Sequence, residues 1–162
     1  MIAEEIEIRW ASEPDDVPGA IAVREQVFCR EQGVPREEEI DGLDDSAEHL
    51  VALAPQGDGE RVIATARLLV SGERAKIGRV AVERDWRRRG IAARMLRLAI
   101  RRARERGCRR ARLAAQLDAV ALYEQAGFAV ESDEFEEAGI PHVWMGREIA
   151  PLDVSRTAGE LT

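Results

Sequence analysis

The chain has 162 residues, 45% hydrophobic and 34% charged, with a formal net charge of −7. That length suits one domain able to bury a real core, and the composition is that of a soluble globular protein. No apolar run approaches membrane-spanning length, and Met1-Ile-Ala-Glu-Glu-Ile lacks the basic-then-apolar order of a secretion signal, so no membrane is implied and a cytoplasmic location is expected.

In chain order, Ile6–Trp10 alternates and predicts a first strand, and residues 17–32 carry Ile21, Val23, Val27 and Phe28 at helical spacing up to Gly33. The polar stretch Val34–Asp45 predicts a solvated loop or a brief second helix; a lid over a pocket is the functional alternative. Three strands follow, 48–53, 61–70 and 75–82, joined by turns at Pro55–Gly59 and Ser71–Arg74 as an antiparallel meander. The period then changes. Ile91, Met95, Leu98, Ala99 and Ala103 line one face of a helix, with Arg94, Arg97, Arg101 and Arg104 leaning outward and Gly107 closing it.

A short strand at 111–115, a short helix at 119–125 closed by Gly127, and two last strands at 128–130 and 143–149 complete the pattern. The expected fold class is α/β: a mixed, mostly antiparallel sheet with helices on both faces. A single domain is expected over residues 1–150, with a flexible tail over 151–162. Cys29 and Cys108 have no CxxC spacing, so they predict two reduced thiols and no metal site.

Charge is unevenly placed. Arginine crowds Arg84–Arg112, acidic residues crowd Glu31–Glu60 and Glu131–Glu137, and Lys76 is the single lysine. Within the basic stretch, Ile77–Val82 reads as an apolar strand running into Arg87-x-x-Gly90-x-Ala92 at the start of a helix. Helix N-terminal amides lack intrahelical partners and face the positive end of the dipole, and small residues let an anion come close. A diphosphate suits such a place. GxxxxGK[ST] and GxGxxG are both absent, which argues against a P-loop and a dinucleotide fold.

These residues resemble the GNAT superfamily of N-acetyltransferases, which carries [Arg/Gln]-x-x-Gly-x-[Gly/Ala] at this strand-to-helix junction. A second family motif is matched by Gln116-Leu-Asp-Ala119-Val-Ala-Leu-Tyr123 with Gly127-Phe128, although Gln116 stands where Asn is usual. Val27-Phe-Cys-Arg-Glu-Gln-Gly-Val34 and Phe135-Glu-Glu-Ala-Gly-Ile-Pro-His142-Val-Trp-Met145 are similar to the small ElaA/YjcF-like bacterial subgroup; the likeness spans residues 6–148. The resemblance implies the GNAT fold and direct acetyl transfer from acetyl-CoA to a primary amine within a ternary complex. It implies that Arg87, Arg88, Arg89, Gly90, Ile91, Ala92 and Ala93 hold the pyrophosphate. Val80, Ala81 and Val82 would be the strand edge for the pantetheine arm, with Gln116 and Tyr123 also at the cofactor.

Tyr123 would give its proton to the departing sulfur, and a main-chain N–H near Val82 would bind the carbonyl oxygen. For the base, His142 at the mouth of the last hairpin is the leading candidate. His49, Glu48, Glu39 and Asp41 remain open, as does a water relay with no dedicated base. Arg79, read as sharing a strand face with Ile77 and Ala81, would anchor an acidic acceptor or a buried carboxylate such as Glu48. Trp144 is read as pocket lining or core, and Trp10 and Phe28 as core. The acceptor is an amine on a small molecule or a protein, the acidic loop 37–45 hinting at a cationic one, and a homodimer is an expected possibility. Two rival readings are a non-catalytic acyl-CoA binder and a basic-helix nucleic-acid module; the net charge of −7 and the lack of interleaved aromatics argue against the latter, so no nucleic-acid partner is expected.

Overall fold

The alternating and helical stretches fold as eight strands and four α-helices within residues 5–152, the part that the computed structural model describes. The strands are β1 (Glu7–Trp10), β2 (Glu48–Gln56), β3 (Gly59–Ser71), β4 (Arg74–Val82), β5 (Arg110–Gln116), β6 (Ala129–Val130), β7 (Phe135–Glu137) and β8 (Ile140–Glu148). The helices are α1 (Asp16–Arg24), α2 (Arg36–Glu39), α3 (Ile91–Glu105) and α4 (Val120–Gln125). One sheet runs β1-β2-β3-β4-β5-β8-β6, with β7 pairing on β8. Every pair is antiparallel except β4–β5.

Alternation along β2 assigns the helices to opposite faces. Leu50, Ala52 and Ala54 enter the main core with Ile91, Met95, Leu96, Ala99 and Ala103 of α3, whereas Val51 and Leu53 pack with Ala20 of α1. Each large aliphatic side chain buried this way contributes about 1.5–3 kcal/mol. α1 lies so close to β3 that a Cβ on Gly19 would stand 2.6 Å from a Val62 methyl carbon. After Arg24 the helix widens into a π-helical turn over Glu25–Glu31, and Gly33, at φ +75, ends it.

Several expectations change in detail. The turn read at Pro55–Gly59 is tighter, because β2 continues to Gln56 and β3 begins at Gly59. β7 was unforeseen: Phe135–Glu137 turns at Ala138 and Gly139, both at positive φ, and pairs with Ile140–His142. Of the α3 arginines, Arg97 and Arg101 face solvent, while Arg94 and Arg104 are half-buried and donate to the Ile6 and Ala150 carbonyls at 3.3 and 2.9 Å. Residues 153–162 of the expected tail lie outside the described residues. No described helix is long and apolar enough to cross a membrane.

The reading of Arg79 on one face with Ile77 and Ala81 is corrected by a bulge. Thr65 opposes Ala81 and Arg67 opposes Gly78, so Ala66 alone faces the two residues Arg79 and Val80. Arg79 takes φ +51, a left-handed conformation that costs a non-glycine residue about 1–2 kcal/mol. Alternation restarts beyond it: Ile77 belongs to the α3-side core with Val80 and Val82, and Ala81 to the α1 side with Val23 and Val27.

Candidate active site

The parallel pair has only three rungs, Arg74–Arg110, Ala75–Ala111 and Lys76–Arg112. Beyond Lys76 the strands part, and the edge of β4 from Ile77 to Val82 that should meet β5 has no strand partner. Backbone N–H and C=O groups left without partners are costly unless water or a ligand takes them. A cavity of about 580 Å³ fills the gap. Val80, Ala81, Val82, Arg87, Ala92, Gln116, Tyr123 and His142 all line it, so eight of the residues singled out from the sequence converge there.

Arg88, Arg89, Gly90, Ile91 and Ala93 lie outside that lining. Gly90, at φ +77, caps α3, and the first intrahelical bond there runs from the Arg94 N–H to the Gly90 carbonyl at 3.1 Å. The amides of Ile91, Ala92 and Ala93 therefore precede the ladder, and Gly90 has no side chain to cap them. The Ile91 side chain is buried in the core, which leaves its amide as the part able to meet a ligand. Arg87 is already engaged: its Nε donates to the Val82 carbonyl at 2.8 Å and its guanidinium reaches the Glu31 carboxylate at 2.6 Å.

Tyr123 projects from α4, buried, its ring edge-on to Phe128. No described group hydrogen-bonds its hydroxyl, and burial, aided by the Asp118 charge, pushes its pKa up to about 12. The phenol is thus protonated throughout the physiological range. His142 is buried on β8 with Nδ1 2.7 Å from the Ile140 carbonyl. A carbonyl only accepts, so Nδ1 carries a proton, while Nε2 stands 3.8 Å from the Glu137 carboxylate.

The other base candidates are occupied. Glu48 is held by Arg102 and Arg106, which places its pKa below the usual range and corrects the pairing with Arg79. His49 is buried with Nε2 2.9 Å from the Asp44 carbonyl and Nδ1 unpartnered. Glu39 and Asp44 bind the fully buried Arg24, the latter at 2.8 Å, and Asp41 binds Arg67 at 2.7 Å and Arg79 at 3.2 Å. The Arg67 hydrogen bond holds Asp41 well below the ordinary carboxylate range; burial opposes it. Arg79 also donates to the Glu39 carbonyl at 2.8 Å. These three carboxylates are neutralised by three arginines, so loop 37–45 keeps half of its six acidic charges, those of Glu37, Glu38 and Asp45, for a cationic acceptor.

The sequence reading missed two features of the cavity. Phe28, assigned to the core, is half-buried and lines the wall beside Val27. Gln32 and Gln116 exchange amide hydrogen bonds of 2.8 and 3.3 Å across the cleft. Eighty-four positions separate them, and no local signal could have paired them.

Known proteins of similar sequence and structure share this arrangement of elements. The sequence profile described as the Acetyltransferase (GNAT) family matches residues 10–128. The uncharacterized N-acetyltransferase YjcF of Bacillus subtilis is 34% identical over 139 residues, covering 85% of this chain and 96% of its own length. Escherichia coli ElaA superposes with a TM-score of 0.76 at 26% identity, covering 88% of this chain and 99% of ElaA. An acyl-CoA N-acyltransferase from Pseudomonas aeruginosa superposes with a TM-score of 0.74 at 26% identity, over 87% of this chain and 99% of that one.

Proposed function

This chain belongs to the acetyltransferase (GNAT) family, and from that premise we propose how its cleft performs the reaction. The protein is an N-acetyltransferase that uses acetyl-CoA and delivers the acetyl group to an amine. Bound acetyl-CoA supplies an activated acetyl group as a thioester. The cavity volume lies within the ordinary range for small-molecule sites. The amides of Ile91, Ala92 and Ala93, with the loop Arg87–Gly90, meet the pyrophosphate, and Val80–Val82 offer main-chain groups to the pantetheine arm as a strand partner would.

His142 Nε2 takes the proton that an incoming ammonium must lose before its nitrogen can attack the thioester carbon. A β4 amide near Val82 donates to the carbonyl oxygen as negative charge gathers there. As the carbon–sulfur bond breaks, the Tyr123 hydroxyl passes its proton to the sulfur and the phenolate recovers, through water, the second proton that the acylated nitrogen sheds, so the products are an N-acetylated amine, a free thiol and the one proton held by His142. A thiolate released in the same apolar surroundings has its own pKa raised, which favours that transfer. Gln116 must release Gln32 to reach the pantetheine arm, and Arg87 holds the end of β4 by its bond to Val82. The acceptor, on a small molecule or a protein, enters from the side of His142.

The observation that carries this reading is the unpartnered Tyr123 hydroxyl, kept protonated by burial, in one cavity with the open edge of β4. Tyr123→Phe lowers kcat about ten- to a thousand-fold and leaves acetyl-CoA affinity within about two-fold. Steady-state release of free thiol together with calorimetric titration checks both halves. Unchanged kcat with a competent amine would remove Tyr123 from the mechanism.

A further inference from the structure

The sheet face that holds the cavity is covered by α1 and its π-helical turn over one half only. On the other half, four planar groups form a column. The Arg112 guanidinium lies 3.9 Å over the Trp144 ring; Trp144 stacks on Phe135 at 5.5 Å and 24°, and Phe135 stacks on His142 at 5.9 Å and 25°. The Lys76 ammonium also sits over Trp144, 5.5 Å from its centroid, and Lys76 itself lines the cavity. One end of the column is therefore cationic, and the other is His142.

Lys76 and Arg112 are in direct register across β4 and β5. Like charges placed side by side on neighbouring strands repel. Five arginines of the sheet and its helices, Arg24, Arg67, Arg79, Arg102 and Arg110, each have a carboxylate partner. Neither Lys76 nor Arg112 has a carboxylate within 4.0 Å among the described residues. Among the described residues, the face of Trp144 is what compensates them. At the opposite end, Glu137 stands beside His142; elsewhere in the lining, Glu38 has no described cation on it.

We propose that the Lys76–Arg112 pair is an anion subsite, and that the acceptor is an amine carrying an acidic group, a carboxylate or a phosphate. The amine end lies at His142 beside Glu137, and the acid lies against Lys76 and Arg112. Spacing along β5 sets the size. Arg112 pairs with Gly146 and Gln116 with His142, four residues apart, or about 13 Å of extended strand. Side chains shorten that span, so an acceptor with several atoms between its amine and its acid fits better than one whose two groups share a carbon. Ala114 and Trp144 form the apolar row between.

This inference rests on the acetyl-transfer reading, and the experiment separates the two. Free-thiol release is measured with matched amines: 6-aminohexanoate against pentylamine, tryptophan against tryptamine, and O-phosphoethanolamine against ethanolamine. The expected result is a kcat/KM at least ten-fold higher for 6-aminohexanoate than for pentylamine, a ratio that falls as ionic strength rises. Lys76→Met, and separately Arg112→Gln, bring the ratio toward one. The phosphate pair tells whether the subsite takes phosphate as well as carboxylate. Pentylamine acetylated as well as 6-aminohexanoate overturns the proposal, as does a ratio indifferent to both substitutions, whereas tryptophan, whose acid and amine share a carbon, is expected to gain little over tryptamine. Acetyl-CoA binding with no acetylation of any acidic member overturns it too, whereas failure to bind acetyl-CoA would strike the acetyl-transfer reading itself.

Discussion

Two regions that flank the same cavity treat their polar groups in opposite ways. Beneath α1 and α2, Arg24, Glu39, Asp41, Asp44, Arg67 and Arg79 bind one another, with Arg24 entirely buried. At the β4–β5 seam, the strands share three rungs and then part, and the amides of β4 and of the first turn of α3 are left for a ligand. The first region is finished by the fold. In the proposed reading, acetyl-CoA completes the second. Function is therefore to be sought where main-chain pairing stops, and the dense cluster of charge supplies another wall of the cavity through Glu39, Asp41, Arg67 and Arg79.

The largest way to test that contrast is to break the wall. Arg24→Met leaves Glu39 and Asp44 facing each other in the interior, and loss of one partner from a buried ion network costs about 3–5 kcal/mol. Urea denaturation of the free protein reads this directly; a loss below about 1 kcal/mol would mean that solvent already screens the cluster.

A smaller effect is expected at the seam. Gly90→Val forces a β-branched residue to φ +77, costing about 1–2 kcal/mol of stability, and weakens acetyl-CoA binding further by tilting the first amides of α3. Stability measured with and without acetyl-CoA separates the two parts, because a ligand adds only as much stability as its affinity allows. Equal stabilisation of variant and parent by acetyl-CoA would detach the α3 cap from the ligand.

The smallest effects come from pH, and the regions differ in sign. Arg67 lowers Asp41, and for Asp44 the Arg24 and Arg67 contacts more than reverse the upward push of burial. These carboxylates stabilise the fold above about pH 4, and that stability is lost as pH falls through their folded values. Tyr123 has its pKa raised from 10.0 to about 12, so the folded state holds a proton that the unfolded chain releases, and stability declines as pH rises from 10 toward 12. Because it is the sole tyrosine, phenolate absorbance follows Tyr123 alone. A folded-state midpoint near 10 would mean that the hydroxyl is well solvated.

Much of the seam was legible in the chain because its signals are local. The apolar run Ile77–Val82, the glycine at 90 and the amphipathic period of 91–103 lie within one stretch, and they place a strand edge beside a helix start. The second motif delivered Tyr123 in the same way. The wall was not legible. Its carboxylates at 39, 41 and 44 looked like a solvated acidic loop, because the arginines that neutralise them come from positions 24, 67 and 79 on three other elements. The Arg79 bulge escaped notice for a related reason: Gly78-Arg79 only interrupts an otherwise apolar run in sequence, and the slip exists only in register with β3. β7 reads as a polar loop until β8 is beside it.

The central claim is that the open edge of β4 and the first turn of α3 are the resting place of acetyl-CoA. Amide hydrogen exchange of the whole protein, with and without saturating acetyl-CoA, tests it most directly. The account predicts slower exchange at Val80–Val82 and Ile91–Ala93 when acetyl-CoA is bound, while β1 and the outer residues of β3 are unaffected. Tight binding without protection of either segment would contradict it.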